Sequence, residues 1–273
     1  MPELPEVHTI TNDLKKSIIG AQILDVKIDP QYKVIPDNNS FVKLVKGKKI
    51  TGVSRIAKNI LIELENTGIL HFHLAMTGRI LLRDKKTPDN WTRVVFLLKA
   101  DNYSRILKFS DMRMFGKVGF YADLAGSNLL KKYGPDLIFA TPDLDSFSKA
   151  IKNKKSSIKN VLLDQSVVAG LGNIYATEAL FLAGIDPSRL SNTLSKDELQ
   201  KLLTAAITVL NEGIAHRGST LPDKMYVDIF GNPGSYQEHF KIYLKDKCPR
   251  CGSGVLNTKI NGRSTYHCPS CQK

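Results

Sequence analysis

The sequence predicts a multidomain α+β protein: a β-rich antiparallel N-terminal half, a helical second half and a small C-terminal hairpin that carries the cysteines. Three observations carry this. At 273 residues the chain is long for one core and comfortable for two domains. Its texture changes near residue 134, from short β-rich segments broken by turns to amphipathic helical periods. All four cysteines lie at or beyond position 248.

The elements follow in chain order. Residues 5–19 read as a helix, because Val7, Ile10, Leu14 and Ile18 recur at helical spacing and Gly20 follows as a stop. Pro5 suits its first turn, where no amide hydrogen is needed. Ala21–Ile28, Ile50–Ile56, Ile60–Glu65, Val94–Lys99 and Arg105–Phe109 read as strands of an antiparallel sandwich or barrel. A connector runs through Gly134-Pro135-Asp136. Beyond it, Ile158, Val161 and Leu162 line a helix expected to end near Gly170, and Asn173 is placed to cap a helix starting at Ile174. Ser195 and Glu198 form a capping box ahead of a long helix whose buried stripe is Leu199, Leu202, Leu203, Ile207, Leu210 and Ile214. Gly218 ends it, and the Gly- and Asp-containing stretch from Arg217 to Tyr236 is expected to be a mobile loop.

Composition narrows the function classes. A 42% hydrophobic and 24% charged chain is that of a soluble globular protein, and no apolar run approaches the 18 residues of a membrane span. The acidic N-terminus lacks a signal-peptide core, so the expected location is cytoplasmic, with the nucleoid. Thirty-nine Lys and Arg against 26 Asp and Glu give a net charge of +13, which calls for a polyanionic partner, above all nucleic acid.

Two motifs carry chemistry. Removal of the initiator methionine would leave Pro2 as the N-terminus, a secondary amine with a pKa near 8 rather than the roughly 10.4 of lysine. Its neutral fraction can attack an aldehyde-level carbon and form an iminium ion, and Glu3 follows as a carboxyl group able to move protons. At a helix N-terminus the positive dipole end depresses the amine pKa further and favours a nearby phosphate. The second motif is Cys248-Pro-Arg-Cys251 and Cys268-Pro-Ser-Cys271, two C-x2-C pairs 16 residues apart. That spacing fits one structural Zn2+ held by four thiolates; a pair of disulfides is the competing reading, disfavoured in a cytosolic protein.

Met1-Pro2-Glu3-Leu4-Pro5-Glu6-Val7, the Gly170–Tyr175 turn and the terminal cysteine hairpin occur in this order, and in that combination the chain resembles formamidopyrimidine-DNA glycosylase from residue 2 to residue 271. The resemblance implies an N-terminal β-sandwich with flanking helices (residues 1–132), a connector (133–150), a helix–two-turn–helix DNA-binding domain with a base-recognition loop (151–236) and a zinc finger (237–273), with DNA across the cleft between domains. It implies a monomeric bifunctional glycosylase and abasic-site lyase that acts on double-stranded DNA carrying oxidised purines or abasic sites. In that reading Pro2 attacks C1′, Glu3 assists opening of the sugar, Lys58 donates a proton in β-elimination and Arg263 serves the second elimination, leaving a one-nucleotide gap. Met76, Arg113 and Phe115 would fill the space left by the flipped nucleotide. On their residue types alone, Met76 and Phe115 read as core. Lys154, Lys159 and Asn173 would hold phosphates.

Two stretches depart from the family pattern. Asn90-Trp91-Thr92-Arg93 stands where relatives carry histidines near DNA, so no contact is transferred there. The loop from Arg217 to Asp223 matches only in part, which leaves the preference among lesions open. Other readings are an endonuclease VIII-like enzyme for oxidised pyrimidines, a non-catalytic binder of damaged DNA and a zinc-ribbon RNA-binding protein. Leu4 and the Arg113-x-Phe115 loop speak against the first, intact Pro2, Glu3 and Lys58 against the second, and the N-terminal motif against the third.

Overall fold

Two four-stranded antiparallel sheets share one hydrophobic core in the first half of the chain. A computed structural model describes residues 2–85, 87–100 and 103–273; Met1 of the opening motif, and with it the site of initiator removal, lies outside them. Helix α1 (Leu4–Ile18) is followed by β1 (Gln22–Ile28), α2 (Asn38–Val45), β2 (Ile50–Ile56), β3 (Asn59–Leu64), β4 (Ile69–His73), β5 (Gly78–Arg83), β6 (Thr92–Ala100), β7 (Tyr103–Asp111) and β8 (Lys117–Tyr121). The sheet orders are β1-β6-β7-β5 and β2-β3-β4-β8. Alternation along the strands turns Val94, Phe96, Leu98, Leu107 and Phe109 of one sheet, and Ile60, Ile62, Leu70 and Phe72 of the other, into the shared core. Each such side chain contributes roughly 1.5–3 kcal/mol on burial. Helix α1 lays Val7, Ile10, Leu14 and Ile18 against this core, so its apolar stripe is the one expected.

Several elements lie outside the sequence reading. Helix α2 starts where the Asp37 carboxylate accepts the Ser40 N–H at 2.9 Å, a cap hidden among polar residues. β4 (five residues), β5 (six) and β8 (five, carrying Gly119) are strands beyond those expected from the sequence.

The second half contains α3 (Leu129–Lys132), α4 (Leu144–Lys152), α5 (Ile158–Leu163), α6 (Asn173–Ala183), α7 (Lys196–Ala215), β9 (Leu256–Ile260) and β10 (Arg263–His267). Ser195 accepts the Glu198 N–H and Glu198 accepts the Ser195 N–H, the expected capping box. Ile207 and Ile214 of the expected stripe are only half-buried; Ala205, Ala206, Val209 and Gly213 complete the packed face instead. Helix α5 stops at Leu163 rather than near Gly170, because Asp164 turns the chain and accepts the Ser166 N–H at 3.0 Å. Asn173 does not cap α6. Gly172 holds the cap position, and Asn173 is the first helical residue.

The chain divides into two compact units, Met1–Lys131 with Arg217–Ser235, and Lys132–His216 with Tyr236–Lys273. The stretch expected to be a mobile loop of the helical half therefore packs with the β-rich unit. Tyr226 and Ile229 enter its core, and the Arg217 guanidinium pairs with Asp13 at 2.5 Å and Asp228 at 2.8 Å. Among the described residues no helix is long and apolar enough to cross a membrane.

Candidate active site and nucleic-acid interface

In the β-rich unit the N-terminus of α1 is buried at Pro2 and Glu3. Glu6, one turn on, accepts the Glu3 N–H at 2.7 Å with one carboxylate oxygen and the Ser219 N–H at 2.7 Å with the other. One side chain thus fixes both the opening motif and the start of the 217–235 segment. Gly218, at φ +82°, is forced by this approach, since a Cβ there would lie 2.7 Å from the Glu6 side chain. Helix α1 rests on β2 and β3, and the turn joining those strands carries Lys58, only 8% exposed. Ala57 takes a left-handed φ of 52°, and its carbonyl accepts the Arg55 guanidinium at 2.5 Å, which closes the turn. The His73 imidazole has its pKa lowered by burial and then by the nearby Lys58 and Lys117 cations.

Two loops of the same unit present the apolar residues. Between β4 and β5, Met76 is 41% exposed; between β7 and β8, Phe115 is 57% exposed, and the Arg113 guanidinium lies over its ring at 4.6 Å. The core reading of Met76 and Phe115 is therefore wrong: both stand in solvent on turns that include the left-handed residues Ala75 and Met114. The residue that builds this arrangement is Asp111, which sequence reasoning passed over. Its fully buried carboxylate accepts the Thr77 hydroxyl from one loop and the amides of Arg113, at 3.2 Å, and Gly116, at 2.7 Å, from the other. An aspartate just ahead of a Gly-terminated loop was the available signal.

In the helical unit the expected phosphate contacts separate. Lys154 is exposed and pairs with Asp164 at 3.1 Å, and Arg263 is exposed at the start of β10, behind the left-handed tip Asn261-Gly262. Lys159 is not a surface residue: it is 0% exposed, and its ammonium donates to the Ser264 carbonyl at 2.9 Å and the Thr265 hydroxyl at 2.7 Å. A direct phosphate contact from Lys159 is corrected accordingly. The Asn173 amide donates to the same Ser264 carbonyl at 3.0 Å. Two residues expected to hold DNA thus converge on the backbone beside Arg263 and position the hairpin. The backbone from Lys241 to Tyr243, ahead of that hairpin, is held by the buried Glu178 carboxylate, which accepts three successive amides at 2.7–2.9 Å.

The four cysteine sulfurs all lie within 4.8 Å of one another, with Cys248–Cys271 at 3.8 Å and Cys251–Cys268 at 3.5 Å. Tetrahedral bonds of about 2.3 Å would put sulfurs about 3.8 Å apart around zinc, so the donor set fits that ion.

Comparison with known proteins agrees with this architecture. Residues 1–118 match the model of the formamidopyrimidine-DNA glycosylase N-terminal domain, and residues 133–224 match that of the formamidopyrimidine-DNA glycosylase H2TH domain. The formamidopyrimidine-DNA glycosylase of Pelotomaculum thermopropionicum is 38% identical over 279 residues, covering 100% of this chain and 99% of its own; that of Streptococcus pyogenes is 36% identical with the same coverage. Among solved structures, the Lactococcus lactis Fpg in complex with abasic-site DNA superposes with a TM-score of 0.90 at 30% identity. The same wild-type protein with N7-benzyl-Fapy-dG DNA superposes with a TM-score of 0.90 at 31% identity, and both alignments cover 100% of each chain.

Proposed function

The chain belongs to the formamidopyrimidine-DNA glycosylase family, a family of DNA glycosylases with abasic-site lyase activity that act on oxidised DNA, and on that premise we propose that it excises oxidised purines from duplex DNA through Pro2. The Pro2 nitrogen attacks C1′ of the damaged nucleotide, and the glycosidic bond breaks with its electron pair leaving on the base. Glu3 delivers a proton to the ring oxygen as the sugar opens, giving an iminium between C1′ and nitrogen. The iminium withdraws electrons, so a C2′ proton is lost and the C3′–oxygen bond breaks, with Lys58 protonating the departing side. In a second elimination the C4′ proton is lost and the C5′–oxygen bond breaks, which releases the 5′ phosphate, and Arg263 steadies that charge through its planar fork. Hydrolysis of the remaining iminium frees the amine.

Met76, Arg113 and Phe115 are assigned to the gap in the stack, where apolar surface and one cation offset the few kcal/mol of unstacking. Lys154 is assigned to the backbone phosphates, and the amides at the start of α6 accept a phosphate beside Asn173. The four cysteines hold one structural Zn2+, which keeps the β9–β10 hairpin folded and takes no part in bond breaking. The observation that carries the reading is Glu6: a single buried carboxylate orders the Pro2-Glu3 backbone at the positive end of α1, on the strands that bear Lys58.

Borohydride reduction in the presence of abasic-site DNA tests this directly. The wild-type protein is expected to become covalently fixed to DNA, and Pro2→Gly to lose most of that product. Equal trapping by Pro2→Gly would overturn the assignment. Cleavage of an 8-oxoguanine duplex faster than a thymine glycol duplex is the outcome expected for a purine enzyme.

A further inference from the structure

The outer face of the β1-β6-β7 sheet carries a cavity of about 630 Å³ whose lining includes none of the residues assigned above. Register sets its floor. Lys27, Val95 and Lys108 form one cross-strand row, and Asp25, Leu97 and Ile106 the next. The segment Thr87–Asp89 crosses above them and completes the lining. Asp89 is tied back by the Ser110 hydroxyl and the Trp91 N–H, and Asp25 by Lys46 at 3.0 Å. Lys108 differs from both. It is only 4% exposed, yet its ammonium donates solely to the carbonyl and hydroxyl of Thr87, with no carboxylate partner among the described residues.

A buried ammonium is costly unless a negative charge meets it. Among the described residues no negative charge meets Lys108, its two hydrogen bonds leave one of three N–H groups over, and the adjoining wall is apolar. Leu97, at the mouth, keeps 38% of its surface in solvent. The volume falls within the roughly 300–1,000 Å³ of small-molecule sites. We propose that this cavity binds a small amphiphilic carboxylate, its head group on Lys108 and its chain along Val95, Leu97 and Ile106. The exposed Lys27 adds a second cation on the same row, roughly 10 Å away across two strand spacings.

Titration with sodium octanoate and with octanol, followed by calorimetry and by the emission of the single tryptophan, Trp91, tests the site. Octanoate is expected to bind the wild-type protein at least tenfold tighter than octanol. Lys108→Met should abolish that preference, and Leu97→Glu, which leaves the core untouched, should weaken octanoate at least tenfold. Both variants should still be trapped on abasic DNA, which separates this site from the proposed lyase chemistry. The absence of saturable octanoate binding to the wild-type protein would overturn the proposal. So would an unchanged preference in Lys108→Met, or unchanged octanoate affinity in Leu97→Glu should Lys108→Met not fold. Displacement of octanoate by duplex DNA would make the cavity a phosphate site instead and would equally end the proposal.

Discussion

Two lysines five positions apart show what one residue can and cannot announce. Lys154 and Lys159 lie in a stretch rich in lysine and free of acids, and both read as phosphate ligands. Helix α5 turns Lys159 inward with Ile158, Val161 and Leu162, and its partners, Ser264 and Thr265, are more than 100 residues away in sequence. No local pattern contains that pairing. The consequence is measurable. Lys154→Ala should lower the slope of log K against log salt for DNA binding by about one, as the loss of a phosphate contact does. Lys159→Met should leave that slope unaltered and destabilise the helical unit by about 1–3 kcal/mol in urea unfolding, the cost of two buried hydrogen bonds. Pro2, Glu3 and the cysteines were legible because their chemistry sits in residue type and spacing. The roles of Glu6 and Asp111 were not, because each ties a local backbone to a partner far away in sequence, Ser219 for Glu6 and Thr77 for Asp111.

At the scale of elements, the sequence reading succeeds where a period or a cap is long enough to count. The Ser195–Glu198 box and the α7 stripe are examples, whereas β4, β5 and β8 were not among the expected strands. The α7 cap also sets a pH dependence. The Arg189 guanidinium beside Glu198 holds its carboxyl down at about 2, against the upward push of burial. The unfolded value is about 4.3. Folding therefore gains stability above pH 4.3 that is lost as pH falls towards 2. Both side chains are near 30% exposed, so screening limits the effect to about 1 kcal/mol. Unfolding midpoints measured at pH 5 and pH 3 should differ more in the wild-type protein than in Arg189→Met.

The 217–235 segment is the larger misreading, since a Gly- and Asp-containing composition looks mobile and the Arg217–Asp13 pair of its Arg217–Asp13–Asp228 triad lies across 204 residues of sequence. Burial of Asp228 would raise its pKa, yet the Asn232 amide and Arg217 hold it below the usual carboxylate range. Arg217→Ala should speed amide exchange across 219–232. If this segment is the base-recognition loop that the family resemblance implies, the substitution should also slow excision of 8-oxoguanine several-fold while leaving cleavage at a preformed abasic site near the wild-type rate.

For the whole molecule, the charge of +13 and the four clustered sulfurs make the same demand, a polyanion outside and a cation within. Treatment with a chelator to strip the proposed zinc, or replacing Cys268 with serine, should unfold the β9–β10 hairpin and weaken DNA binding, while the thermal transition of the β-rich unit persists. The coarse plan of strands, then helices, then a cysteine hairpin could be read from composition and periodicity. Its discontinuity could not, because nothing local says that Tyr226 and Ile229 complete a core begun at Val7. That arrangement bears on synthesis. A ribosome releases the strands first, then residues 132–216 of the helical unit, and only afterwards the stretch that finishes the first domain. A nascent chain arrested before Ser235 has emerged should thus carry a protease-sensitive N-terminal half, and resistance should arrive late and in one step.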